Sequence, residues 1–445
     1  MSQNKFDYDV LYIGSGHGTF DGAIPLAAKG IKVGVVEAGL VGGTCPNRGC
    51  NAKISLDSPV THQRYAESMQ KIVTHPVHIN WQENVQHKNT VIQNLPGAIT
   101  GMLKNQGITI LKGTGQFQDQ HTVIVNEQAI TAEKVVIATG LHPHRLDIPG
   151  TQLAHDSEDF MNLTHLPDNI AIIGSGYISM EFATMANAAG ANVTVLMHGK
   201  QALRQFYQPF VQKIVDDLTQ RGVKFITQAD ISAFRQEGQS LWIDYGQDQY
   251  LKTNWILDAT GRVPNIEKLN LDKIGIAYND NGIVVNDHLQ TNVENIYASG
   301  DVIDKQQPKL TPTAIFESLY LTQLLSQATT DPIQYPVIPS VVFTSPRIAK
   351  AGMSVAAAQD NHFDIQTVDF DNDWYRQVNN EKIADSRLIF DNAHHLVGAT
   401  EVSDQADNAM NTLLPAIEFQ FGKAELSRLI YLFPSISSAT WDQIK

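Results

Sequence analysis

Two residues in this chain can carry redox or metal chemistry through sulfur, and they lie close together. They are Cys45 and Cys50, in the stretch GGTCPNRGC that runs from Gly42 to Cys50, and they are the only cysteines in 445 residues. A single pair cannot build the disulfide framework of a small secreted domain. A close pair in a reducing compartment points instead to metal binding or redox chemistry, with a buried, inert pair as the alternative. Zinc would need two further ligands, and no short His or Cys motif accompanies the pair. Five residues along an ideal helix rise ~7.5 Å and turn ~140°, whereas a disulfide requires Cα atoms ~4.4–6.8 Å apart. The segment therefore cannot be a regular helix while the sulfurs are bonded. Pro46 fixes its own φ and Gly49 tolerates unusual backbone angles, so the segment is written to bend and close a small ring. That favours a redox disulfide over an inert pair.

The elements that must position this pair are legible in an internal repeat. Residues 10 to 16 read VLYIGSG and residues 170 to 176 read IAIIGSG, and from those glycines the two segments align without a gap for 24 residues. Each predicts an apolar strand, a glycine turn and a helix. In the first copy, Gly14 and Gly16 precede a helix ending near Gly30 and a second strand, KVGVVE, that closes on Glu37. This is the dinucleotide fingerprint: glycines admit a pyrophosphate to the backbone at a helix N-terminus, and the acid accepts from a ribose hydroxyl. The third glycine is replaced by Thr19, which is expected to widen helix–strand packing slightly. In the second copy Gly174 and Gly176 are followed by Ser179, and the position matching Glu37 is Met197. His198, Lys200 and Arg204 follow it directly. Cations without an acid suit a 2′-phosphate, so this site is expected to prefer NADPH over NADH. The repeat continues in VVIATG, residues 135 to 140, and ILDATG, residues 256 to 261, and a third exit strand, ENIYASGD, ends on Gly300 and Asp301.

Composition narrows the class. The opening MSQNKFDYDV has no basic-then-apolar leader, and no stretch approaches the ~18 uninterrupted apolar residues of a membrane span. A soluble, cytoplasmic protein is expected. The formal charge of −14 argues against a nucleic-acid or anionic-membrane partner. The length and the 42% hydrophobic content predict more than one domain.

In its motifs the chain resembles the FAD-dependent pyridine nucleotide-disulfide oxidoreductases, the family of glutathione reductase, dihydrolipoamide dehydrogenase and mercuric reductase. GSGHGT, GGTCPNRGC, GSGYISME, ATGRVPN, YASGD and LTPTA occur in that family's order and approximate spacing, and PSVVFTSPRIAKAG is similar to the opening of its dimerisation domain. The resemblance implies an α/β fold with two Rossmann-like dinucleotide-binding domains and a C-terminal α+β dimerisation domain. The FAD domain would comprise residues 1–150 and 265–332, the NAD(P)H domain 151–264, and the interface domain of a homodimer 333–445. FAD would be held by Gly14, Gly16, Glu37, Thr44, Lys53, Gly115, Thr139, Gly140, Gly300 and Asp301, and NADPH by Gly174, Gly176, Ile178, His198, Arg204 and Gly261. The run RLIFDNAHHLVGATEV predicts two strands around a turn from Asp391 to His395, which makes His394 and His395 turn residues rather than ligands. His75 and His78 have no cysteine or acid nearby at metal spacing, and no metal is expected.

By the family's pattern Cys50 lies against the flavin and Cys45 faces the substrate. Electrons from NADPH pass through the flavin and open the disulfide, and Cys45 attacks an external disulfide as a thiolate kept ionised by a lowered pKa. Arg48 is a cation that could contribute to that lowering. Lys53 and Glu181 are expected to pair near the flavin's hydride-accepting nitrogen, with Ala52 where relatives carry a proline, and Tyr177 resembles the aromatic gate at the nicotinamide position. One part departs from the pattern. Disulfide-reducing relatives carry a His-Pro-Thr-x-Ser-Glu type motif near the C-terminus, and this chain reads Phe433-Pro434-Ser435-Ile436-Ser437-Ser438. The acid–base histidine and its carboxylate are both missing, and no further cysteines replace them as they do in mercuric reductases. The expected function is an NADPH-dependent reductase of a small thiol disulfide, similar to glutathione reductase. The alternatives are a reductase of a quinone, metal ion or other non-disulfide acceptor, and a low-turnover NADPH-binding flavoprotein sensor.

Overall fold

A computed structural model describes residues 5–368, 370 and 373–444. Residues 1–4, part of the stretch read above as lacking a leader, and residue 445, the end of the expected interface segment, lie outside it. The chain divides into two compact units. One comprises Met1–Ser55, Gln86–His144 and Arg262–Tyr335, and the other Leu56–Val85, Arg145–Gly261 and Pro336–Lys445.

The first unit is built on a parallel sheet whose strands run Thr109–Lys112, Val33–Glu37, Tyr8–Ile13, Gln128–Ile137 and Ile296–Ala298 in spatial order. Val10, Leu11, Tyr12 and Ile13 are all buried, as are Val33, Val35 and Val36, so these strands read as continuous apolar runs rather than as alternation. The long strand Gln128–Ile137 also begins an antiparallel meander with Thr122–Val125 and Gly115–Asp119. Helix Phe20–Ala28 follows the first strand and lies against helix Thr311–Leu325. Gly22 makes that approach possible: a Cβ there would stand 2.1 Å from the Ser318 carbonyl oxygen. The Thr322 hydroxyl donates to the Gly22 carbonyl at 2.8 Å across the same seam.

The second unit holds three sheets among its described residues. A four-stranded parallel sheet orders Lys224–Thr227, Asn192–Met197, Asn169–Ile173 and Trp255–Asp258, with helix Tyr177–Ala188 after the strand that ends at Ile173. The strands Ile231–Glu237, Ser240–Tyr245 and Gln249–Thr253 form a separate antiparallel meander. The C-terminal segment is a five-stranded antiparallel sheet, ordered Ser340–Val342, Arg347–Gly352, Leu396–Ser403, Asp385–Phe390 and Asp364–Val368. Helix Ala406–Glu418 covers it, burying Met410, Leu413 and Ile417 against Leu388, Phe390 and Leu396. The hairpin turn falls where the sequence places it. Asp391 N–H donates to the His395 carbonyl at 3.0 Å, and His394 takes the left-handed conformation at φ 65°.

Gly22→Ala is expected to destabilise the protein by about 1–3 kcal/mol, the usual cost of overpacking a tight seam. Denaturant unfolding of the variant would check this, and an unchanged midpoint would contradict the packing described at Ser318.

Candidate active site

Both glycine turns are built in the same way. Gly14 adopts φ 104°, and a Cβ on it would stand 2.3 Å from the Ala138 carbonyl oxygen; Gly174 adopts φ 127°, and its Cβ would stand 2.3 Å from the Ala259 oxygen. The repeated Ala-Thr-Gly turns are therefore the surfaces against which the repeated glycines close, and a side chain at either glycine would be forced into a carbonyl. Thr19 is fully buried and donates to the Gly14 carbonyl at 2.9 Å, while Ser179 donates to the Gly174 carbonyl at 2.8 Å. The departure at Thr19 thus uses its space for a hydrogen bond that ties helix to strand.

The residues expected to hold FAD all belong to the first unit. Glu37 ends its strand and accepts from Ser15 N–H at 3.0 Å, the Ser15 hydroxyl at 2.5 Å and Gly39 N–H at 2.6 Å. Only the last of these reaches Oε1, which keeps a lone pair for a ribose hydroxyl. Thr139 and Gly140 are fixed by Asn265, which accepts from the Thr139 hydroxyl at 2.8 Å and donates to the Thr139 carbonyl at 2.8 Å and the Gly140 carbonyl at 3.0 Å. Gly115 opens its strand with Ile13 and Val123 tight against it. Gly300 and Asp301 lie in a short turn after the strand Ile296–Ala298, and Asp301 Oδ1 is buried with no protein partner. A bare glycine cradle and an orphaned buried carboxylate oxygen fit a dinucleotide with hydroxyl donors.

The cysteine segment is bent at Gly49. Thr44–Arg48 forms one helical turn and Cys50–Ser68 a longer helix, with Gly49 between them at φ −137° and ψ −121°. A Cβ on Gly49 would stand 2.9 Å from the Thr44 carbonyl oxygen. Gly43, at φ 69°, presses against the phosphate loop, where its Cβ would stand 2.8 Å from the Gly16 Cα. Both cysteines are free thiols: Cys45 Sγ lies 3.6 Å from Asn51 Oδ1 and Cys50 Sγ 3.5 Å from the Thr311 hydroxyl, and the two thiols share a hydrogen bond. That hydrogen bond is the main reason Cys50 is pulled down from the ordinary thiol range to about 6; burial opposes it, and the Thr311 hydroxyl and the Lys53 charge reinforce it. The same hydrogen bond pushes the Cys45 pKa up, with burial and the Cys50 charge adding to the rise.

Of the two thiols Cys50 is the one whose pKa is lowered; the Thr311 hydroxyl acts in that direction on both, and the Lys53 charge adds to it at Cys50. Lys53 follows Cys50 by three positions on one helix and so shares its face. Thr311 was not singled out from the sequence. Its hydroxyl lies 3.5 Å from Cys50 Sγ across 261 residues of chain, and its only local signal is its place at the start of a helix inside LTPTA.

The residues expected at the nicotinamide nucleotide belong to the second unit. Gly176 caps helix Tyr177–Ala188 with open space around it, and Ile178 sits half-buried in that helix's first turn. Gly261 is likewise unobstructed at φ 149°. Met197 ends its strand buried, so no carboxylate stands there. His198 and Lys200 are exposed, and the Arg204 guanidinium folds back over the turn, 3.1 Å from where a Gly199 Cβ would be. Tyr177 is half exposed, and Glu181 is buried with Oε1 accepting from Phe343 N–H at 2.9 Å.

At the C-terminal departure the structure gives the replaced positions other work. Ser438 and Ser435 cap each other at the start of helix Ile436–Asp442, the Ser435 N–H donating to the Ser438 hydroxyl and the Ser438 N–H to the Ser435 hydroxyl. Phe433 is 67% exposed, with its ring 5.6 Å from that of Trp374. Phe433 has no proton to give a leaving thiolate, and the weakly acidic Ser438 hydroxyl donates its own to the Ser435 carbonyl at 2.8 Å.

Comparison with known proteins assigns the class. The model of the pyridine nucleotide-disulphide oxidoreductase family matches residues 8–318 and that of its dimerisation domain residues 338–444, and the chain belongs to this family. It is 31% identical over 434 residues to a mercuric reductase of Staphylococcus aureus, covering 93% of this chain and 77% of that protein. It is 29% identical to a glutathione reductase of Nostoc sp., covering 97% of this chain and 98% of that one. Among solved structures it is similar to the HOCl-induced flavoprotein disulfide reductase RclA from Escherichia coli, with a TM-score of 0.86, 26% identity and coverage of 98% and 99%. A Cu(II) complex of the same reductase matches with a TM-score of 0.87 and 25% identity, covering 97% of this chain and 98% of that one. The protein is thus an FAD-dependent NAD(P)H:disulfide oxidoreductase with a dimerisation domain. Among the described residues no helix is long and apolar enough to cross a membrane.

Alkylation of the reduced protein by iodoacetamide is expected to accelerate with a midpoint near pH 6 and to level off above it, since Cys50 is ionised above that value and protonated below it. In Cys45→Ala the donated hydrogen bond is lost and the midpoint should move up. A single midpoint at the ordinary thiol value of about 8.5 in the intact protein would contradict the arrangement.

Proposed function

We propose that the enzyme passes electrons from NADPH through FAD to the Cys45–Cys50 disulfide and on to a small thiol disulfide, in the manner of a glutathione reductase. What supports this reading is the bend at Gly49 that sets the free thiols Cys45 and Cys50 on either side of it, with the Thr311 hydroxyl 3.5 Å from Cys50 Sγ. FAD, when bound, supplies the two-electron relay between nicotinamide and sulfur. Gly14, Gly16, Glu37, Thr44, Gly115, Thr139, Gly140, Gly300 and Asp301 hold it, and Lys53 and Glu181 supply charge for its hydride-accepting nitrogen. Gly174, Gly176, Ile178 and Gly261 take the pyridine nucleotide, His198 and Arg204 its 2′-phosphate, and Tyr177 screens the nicotinamide position. The functional division is the one expected from the family: residues 1–150 with 265–332 for FAD, 151–264 for NADPH and 333–445 for a homodimer interface, in a cytoplasmic enzyme.

The thiol steps follow from the shared proton. Cys50 accepts the Cys45 proton along their hydrogen bond, and Cys45 attacks one sulfur of the external disulfide, expelling the first thiolate. Cys50 then loses its proton and attacks the Cys45 sulfur, which restores the internal disulfide and expels the second thiolate. The balance is one disulfide, two electrons and two protons in, two thiols out. With Phe433 and Ser438 in place of the acid and its carboxylate, solvent protonates the leaving groups, so disulfides of acidic thiols are the better acceptors.

A second reading has its own support. An acceptor that needs no positioned acid, such as a metal ion or a quinone, is consistent with Phe433 and Ser438 at the acid–base positions, and RclA has been solved as a Cu(II) complex.

A steady-state screen of NADPH oxidation over disulfides, metal ions and quinones separates the readings. Turnover with small disulfides that vanishes in Cys45→Ser supports the first, and turnover confined to metal ions or quinones supports the second. Negligible turnover with all of them would contradict both and leave the protein a nucleotide-binding flavoprotein. The nucleotide preference is tested separately: Arg204→Ala should lower kcat/KM for NADPH by about 10–100-fold, the range of one charged hydrogen-bonded contact, while leaving NADH nearly unchanged. Equal efficiency with both nucleotides in the unmodified enzyme would refute it.

A further inference from the structure

The turn that carries Asp301 is clamped by a buried charged triad that the thiol chemistry does not use. Glu317, in helix Thr311–Leu325, has a completely buried side chain, and Lys305 is 4% exposed. Glu317 Oε2 accepts from Gly300 N–H at 2.7 Å. Its Oε1 accepts from Lys305 Nζ at 2.7 Å and from the Tyr335 hydroxyl at 2.8 Å, and Lys305 Nζ also donates to the Gly300 carbonyl at 3.1 Å. Both backbone polar groups of Gly300 are therefore held by one ion pair. The residue before it is held from the other side, where the Ser299 hydroxyl donates to the Gly18 carbonyl at 2.8 Å and the Ser299 N–H to the Ile137 carbonyl at 3.0 Å. The turn is thus fixed against the Gly14–Gly18 loop, and Asp301 follows directly, with Oδ1 buried and unpartnered.

A buried ion pair is a poor way to gain stability. Desolvation costs several kcal/mol per ion, and apolar replacements of similar volume are often neutral or better. Burial raises the proton affinity of Glu317, and the three donors oppose that rise. An arrangement that is costly in stability but fully hydrogen-bonded makes sense where a backbone position must be exact.

We propose that Glu317, with Lys305 and Tyr335, is a positioning residue that aims Asp301 at FAD, so that cofactor affinity depends on an ion pair that does not itself touch the cofactor. This rests on the reading of Asp301 as an FAD ligand. Glu317→Gln keeps the shape but puts an amide against a ring of donors. The turn should relax and Asp301 lose its aim.

The test is titration of apoprotein with FAD, followed by flavin fluorescence, for the unmodified protein, Asp301→Ala, Glu317→Gln, Tyr335→Phe and the double variant Asp301→Ala with Glu317→Gln. Circular dichroism of each apoprotein checks that it has folded. We expect Glu317→Gln and Asp301→Ala each to raise the FAD Kd by about tenfold or more, and Tyr335→Phe, which removes one neutral donor, by about 2–10-fold. The double variant should bind no more weakly than the weaker single variant, because both act through one contact. If Glu317→Gln does not fold, Tyr335→Phe alone decides, and an unchanged Kd there overturns the proposal. A normal Kd in folded Glu317→Gln with a weakened Asp301→Ala also overturns it, as does full additivity in the double variant. A normal Kd in Asp301→Ala overturns the reading beneath it instead.

Discussion

The pairing of the Cys45 and Cys50 thiols across the bend at Gly49 is the interaction on which the rest of the structure converges. It lowers the pKa of Cys50 and raises that of Cys45, and the neighbouring elements hold the pair in place. Gly49 breaks the helix so that the two side chains can meet, which an unbroken helix would prevent. Gly42 and Gly43, both at positive φ, bring the segment down on the phosphate loop. From a different part of the chain, helix Thr311–Leu325 delivers the Thr311 hydroxyl to Cys50. The same helix carries Glu317 six residues further on, so a single element supports both Cys50 and the Gly300 turn.

The second organising constraint is the duplicated closure of glycine on carbonyl. Gly14 on Ala138 and Gly174 on Ala259 are the same contact made twice, with Thr19 and Ser179 making equivalent hydrogen bonds. Given that likeness, the difference between the copies stands out. One strand ends on a carboxylate and the other on Met197, followed by exposed cations. The backbone turn is reused in the second copy, and the two copies differ in a few side chains at and past the strand ends.

This also explains what could be read from the sequence. Both glycine turns, their flanking strands and helices, the three exit strands and the 391–395 turn were legible because each is a local signal: an apolar run, a glycine, a change of period. The bend at the cysteine pair was legible from Pro46, Gly49 and the reach of a disulfide. The contacts made across long stretches of chain were not. Thr311 looks like any helix-opening threonine until the fold brings it to Cys50, and Glu317, Lys305 and Tyr335 look like ordinary surface chemistry in a region with no periodic warning that they are buried. Ser438 illustrates the converse: the missing carboxylate was visible in the sequence, while its capping partnership with Ser435 emerged only with the helix.

The central claim is that the reduced thiol pair forms readily but discharges without a positioned acid. A general acid typically contributes ~10²–10⁴-fold, so its loss should appear in one half-reaction and not in the other. The direct measurement is rapid-mixing kinetics on the unmodified FAD-loaded enzyme, comparing reduction by NADPH with reoxidation by glutathione disulfide and by an aromatic disulfide. Reduction is predicted to be fast, reoxidation by glutathione disulfide slow, and reoxidation by the aromatic disulfide substantially faster, because its low-pKa thiolate leaves without being protonated. If glutathione disulfide reoxidises the enzyme as quickly as NADPH reduces it, another group supplies the proton and this account of Phe433 and Ser438 is wrong.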